Sequence, residues 1–103
     1  MTPLREALER LTTAQANLVT VRLEWRDARR DLRRERAARL LSGHYSGDRE
    51  ERDAHLRVAL ADEYDALHAA GEAVLLAKAE AERADAEWRT LLAEAGQNVK
   101  EAA

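Results

Sequence analysis

Apolar residues recur along this chain with a seven-residue period that runs nearly from end to end. Leu4, Leu11, Leu18, Trp25 and Leu32 form one series, and Ala7, Ala14, Val21 and Ala28 fall between them at alternating steps of three and four. These are the a and d positions of a coiled-coil seam. Such a run, free of interior Gly and Pro, predicts one long packed helix over about residues 3–41. Thr2 followed by Pro3 supplies its start, a capping hydroxyl and then a residue whose missing N–H costs nothing in the first turn. At about 1.5 Å per residue this arm is roughly 58 Å long. A straight helix drifts by about 20° per heptad against the repeat. Leu40 is therefore expected on the inner face where Arg39 holds the a position.

The pattern breaks once. Leu41-Ser42-Gly43 reads as a helix stop, with Gly43 suited to a left-handed C-terminal position. Asp48-Arg49-Glu50-Glu51 has the form of a capping box that starts a new helix. Residues 42–48 then make a turn of the length that joins antiparallel helices, with His44 and Tyr45 at its tip. The heptads resume as Leu60, Leu67, Val74, Ala81, Trp88 and Ala95, interleaved with Leu56, Ala70, Ala77, Ala84 and Leu91. A second helix is predicted over about 49–95, ended by Ala95-Gly96, with residues 96–103 as a frayed tail. Gly71 weakens its interior by about 1 kcal/mol relative to Ala. Folding about residue 45 sets Trp25 near Leu67.

The expected fold class is all-α: a single domain over 1–103, built as a long antiparallel two-helix hairpin. Its seam comprises Leu4, Leu11, Leu18, Trp25, Leu32, Leu60, Leu67, Val74, Trp88 and Leu91. Two d positions interrupt it, Glu35 and Glu63, with the a-position Arg39 nearby. The favoured reading is a polar layer that fixes helix register; the alternative, a catalytic carboxylate pair, lacks an evident cleft or base.

Further apolar residues lie outside the seam: Leu8, Val19, Leu23, Val58, Leu75, Leu76 and Leu92. Two helices cover only one stripe of each other. A partner face made of Leu8, Val19, Leu23, Leu75, Leu76 and Leu92 is therefore expected, met most simply by two hairpins forming a four-helix bundle. A different protein would serve equally well.

Composition fits long helices: 36% of residues are charged and 4% aromatic. Without cysteine there is neither a disulfide framework nor a thiolate metal site. No apolar run reaches membrane-spanning length, and the first residues lack the apolar core of a signal peptide. A cytoplasmic location is expected. The net charge of −3 hides an asymmetry, because fourteen of the twenty acids follow residue 47 while ten of the fifteen arginines precede it. Arg22, Arg26, Arg29, Arg33 and Arg36 form a stripe beside the seam, a candidate rail for nucleic-acid phosphates. Asp27, Asp31 and Glu35 sit among them at ion-pair spacings, and no aromatic residues are interleaved for base stacking. A solvated, self-paired face is the favoured reading.

Candidate chemistry is sparse. Asp65 and His68 have the carboxylate-x-x-His spacing of helical di-metal sites, but such sites need a second pair and inward-facing glutamates. No Gly-rich phosphate loop or nucleophile elbow is present. A non-enzymatic chain with no metal and no cofactor is expected.

Ser46–Leu92 carries a Gly/Ser break, a capped start into Glu51-Arg52, an Ala-rich helix with Tyr64, and a late Trp88 before a polar end. In this it resembles a group of short helical-hairpin proteins of tailed phages, often encoded beside replication and recombination genes. The resemblance covers about half the chain and implies an accessory role in phage DNA metabolism or action on a host factor. No functional residue carries over. Inhibition of a host nuclease by the acidic second arm is an alternative. Another is the family of small secreted actinobacterial helical hairpins, whose Trp-x-Gly turn is absent here, since Trp25 and Trp88 both fall within helices.

Overall fold

A computed structural model describes residues 2–43 and 47–102, so His44 and Tyr45 lie outside the described residues. The chain is a helical hairpin: α1 (Pro3–Leu41), a short α2 (Arg49–Ala59) and α3 (Ala61–Ala102), with α1 and α3 packed against each other.

The predicted caps form. The Arg5 N–H donates to Thr2 Oγ1 at 3.2 Å, and the Glu6 N–H donates to the Thr2 carbonyl at 3.1 Å. α1 stops at Gly43, whose φ of +73° is left-handed and whose N–H donates to the Leu40 carbonyl at 3.3 Å. Asp48 caps α2 by accepting from the Glu51 N–H at 2.9 Å. The Glu51 side chain lies back over Gly47, where a Cβ would collide with its carboxylate.

The return arm differs from expectation at both ends. It breaks at Leu60, whose backbone (φ −113°, ψ 32°) leaves the helical region and separates α2 from α3. No Gly or Pro marks this break. It falls one turn before Glu63, the charged residue due next at the seam, and Tyr64 packs against the core beside it. The arm also runs past Gly96 to Ala102, since Gly96 is not in the left-handed conformation and the residues after it are mostly good helix formers.

Two compact units divide the chain. The first joins Met1–Val21 to Val74–Ala103. Ala7, Leu11, Ala77, Ala81 and Ala84 are its buried residues, and Leu4, Leu18, Val74, Trp88 and Leu91 are half-buried beside them. The run of alanines on α3 lets the helices approach closely. Across the seam edge the Arg10 guanidinium holds the Glu87 carboxylate with two donors, the Nε contact being 3.2 Å. That hydrogen bond raises the Arg10 pKa above its ordinary value.

The second unit spans Arg22–Ala73. Its core is Leu32, Leu56 and Leu60, with Tyr64 and Leu67 packed on it. Leu56 and Leu60 are fully buried, each stabilising the unit by about 1.5–3 kcal/mol of hydrophobic transfer. Trp25 lies against Gly71, one turn past Leu67; a Cβ on Gly71 would stand 3.7 Å from the indole. Beyond Trp25, Arg36 reaches both Asp53 in α2 and Tyr64 in α3.

The expected polar layer is corrected too. Glu35 and Arg39 are exposed, Glu63 is half-buried, and Leu40 remains 42% exposed. Over the four heptads from Leu4 to Leu32, a drift of about 20° each moves the inner face by nearly one residue. Arg36 takes the place that the strict repeat assigns to Glu35, and Leu40 falls beyond the last packed turn.

Two stability measurements follow. Leu60→Ala should cost about 2–5 kcal/mol in urea unfolding. Gly71→Ala should stabilise by about 0.5–1 kcal/mol, because the added methyl meets Trp25 at ordinary contact distance and the helix gains propensity. Destabilisation by Gly71→Ala would show that the approach of α1 to α3 at Trp25 is tighter than described.

Candidate functional site

The most elaborate polar cluster stands in the second unit. α1 presents Arg36, half-buried, toward the break between α2 and α3. Its Nη2 donates to Asp53 Oδ1 at 3.2 Å, and its Nη1 donates to the Tyr64 hydroxyl. One planar guanidinium thus ties residues on both sides of Leu60 to α1, using the fork geometry that distinguishes Arg from Lys. The Arg57 guanidinium lies over the Tyr64 ring, 5.9 Å from its centre. This is an ordering device: it holds α2 against the core and has no nucleophile–base geometry. Sequence reasoning placed Arg36 on an outer rail and left Asp53 and Tyr64 unassigned. The available signals were the heptad drift and an aromatic residue directly after the anomalous Glu63.

The ten predicted seam residues are all buried or half-buried. The six predicted partner-face residues are all exposed: in the first unit Leu8, Val19, Leu75, Leu76 and Leu92, with Leu75 and Leu76 at 64% and 68%, and in the second unit Leu23. Val58 and Val99 are exposed as well. They do not make the single stripe expected. Leu8 and Val19, eleven residues apart, share one side of α1, but the consecutive Leu75 and Leu76 point about 100° apart on α3. The apolar surface wraps around the helix.

The arginine stripe loses Arg36 to the inner cluster. Arg22, Arg26, Arg29 and Arg33 are exposed. Arg29 stacks on Trp25, 5.3 Å from the ring centre, a cation–π contact. The expected ion pairs with Asp27 and Asp31 go instead to Arg30, at 3.4 and 3.7 Å. Among the described residues, Arg22, Arg26 and Arg33 make no hydrogen bond or ion pair. His68 sits 3.7 Å from Glu72 on an exposed face, and no three metal-ligating side chains converge among the described residues. No described helix is long and apolar enough to cross a membrane.

No family model, curated protein or solved structure matches the chain.

A double-mutant cycle tests the Arg36 cluster. Arg36→Ala and Tyr64→Phe should couple by about 1 kcal/mol in unfolding free energy, modest because the guanidinium is partly solvated. Additive effects would mean that the hydroxyl contact contributes nothing.

Proposed function

We propose that the chain is a non-enzymatic helical interaction module that works by protein contact, with a second copy of itself as the simplest partner. The carrying observation is the set of large aliphatic side chains left outside a seam that is already filled: Leu8, Val19, Leu75, Leu76 and Leu92 in the first unit alone. Large aliphatic side chains left exposed beside a filled seam are surface that a partner helix can cover, and a helical hairpin acquires a fuller core by pairing into a bundle. An accessory role in phage DNA replication or recombination, or on a host factor, is supported by the sequence resemblance over Ser46–Leu92. A cytoplasmic setting fits the absence of cysteine from the sequence.

The double variant Leu75→Glu/Leu76→Glu should shift the protein to smaller species in size-exclusion chromatography with light scattering, with little change in helical circular dichroism. Unchanged mass would remove these two residues from the interface. Loss of helix content in parallel would assign them to folding.

A further inference from the structure

The second unit carries opposite charges on the two flanks of its seam. Along α1, Arg22, Arg26, Arg29 and Arg33 follow one another at steps of four, three and four, and the seam residues Trp25, Ala28 and Leu32 lie beside them. Glu24, Asp27 and Asp31 follow at steps of three and four. At about 100° per residue the basic stripe stands about 100° to one side of the seam and the acidic stripe about 100° to the other. The acidic stripe forms one wall of an open groove; Glu63 and Ala66 of α3 form the other, with Ala28 at its floor. Arg30 offsets part of this charge through Asp27 and Asp31, and Glu24 and Glu63 have no bonded partner among the described residues. On the basic flank Arg22, Arg26 and Arg33 are equally unpaired, and Arg29 is steadied on Trp25.

We propose that the two flanks are complementary docking surfaces, the arginine stripe of one copy lying along the Glu24–Asp27–Asp31–Glu63 groove of the next. This rests on the reading that the chain self-associates, and assigns a second surface to it. Charge complementarity selects the occupant. The stripe needs a row of acids at helical spacing, and this same unit presents one, in which Glu24 and Glu63 have no bonded partner among the described residues. The flanks lie on opposite sides of the seam, so a pair of copies satisfies one stripe and one groove and leaves one of each free. The contact is heterologous, and the rotation between successive copies decides whether it closes into a ring or extends as a filament. Exposed ion pairs are individually weak and screened within a Debye length of about 10 Å at 0.1 M salt, so the association must be salt-sensitive.

Sedimentation velocity on the full chain at 50 and 500 mM salt tests this. The unmutated protein should form larger species at low salt, and its association midpoint should move about tenfold upward at high salt. Arg22→Glu/Arg26→Glu/Arg33→Glu alone and Glu24→Lys/Asp31→Lys alone should each lack the salt-sensitive species while retaining helical circular dichroism. An equimolar mixture of the two should restore it. Salt-insensitive association that only Leu75→Glu/Leu76→Glu dissolves would overturn this inference and leave the proposed function standing. A monomer at both salt concentrations would overturn both. Charge variants that associate normally, with the arginine variant losing affinity for an oligothymidylate strand, would overturn the pairing and assign the stripe to nucleic acid.

Discussion

Two packed α-helices can bury one stripe each, and a seven-residue repeat keeps that stripe facing its partner only as long as the drift of a 3.6-residue helix is absorbed. From Leu4 to Leu32 the repeat holds, with every a and d position at least half-buried. Beyond Leu32 the drift has nearly reached one residue. There α1 turns Arg36 inward, the return arm breaks at Leu60, and the largest fully buried side chains, Leu56 and Leu60, collect. The Arg36 contacts to Asp53 and Tyr64 lie at this cluster. Seam geometry thus dictates both where the core is thickest and where the chain needs a polar tie.

The same constraint leaves side chains over. A filled seam has no room for Leu8, Val19, Leu75, Leu76 or Leu92, so the first unit displays them. In the second unit the residues beside the seam are charged, basic on one flank and acidic on the other. Arg10 with Glu87 shows what such charges do when a partner is in reach: they close a two-donor pair across the helices. Arg22, Arg26 and Arg33 have no such partner within the described chain. On the proposed function, a neighbouring molecule covers this surplus on both units.

Much of this was legible in the residue pattern, because it depends on local chemistry. The caps at Thr2 and Asp48 and the stop at Gly43 follow from hydroxyl, carboxylate and glycine at fixed offsets, and the seam follows from period seven. What was not legible depends on accumulated geometry. Drift moved the inner position from Glu35 to Arg36, a shift invisible to a strict heptad count. The break at Leu60 has no Gly or Pro to announce it, and no residue type marks the place where Trp25 meets the glycine of α3. Gly96 misled in the other direction, since glycine permits a helix stop without compelling one. At the candidate surface, exposure of the outer leucines was foreseeable from their absence from the seam, whereas their spread around α3 required angular positions. The redirection of Asp27 and Asp31 to Arg30 hinged on side-chain choice among several arginines in reach.

The central claim is that the side chains outside the seam exist to meet another protein surface, in the simplest case a second copy. Sedimentation equilibrium of the unmutated chain over a range of concentrations, at low ionic strength, tests it most directly. The expected weight-average mass rises to at least twice the 11.6 kDa of one chain. A folded, helical species that stays at 11.6 kDa across the whole range would contradict it.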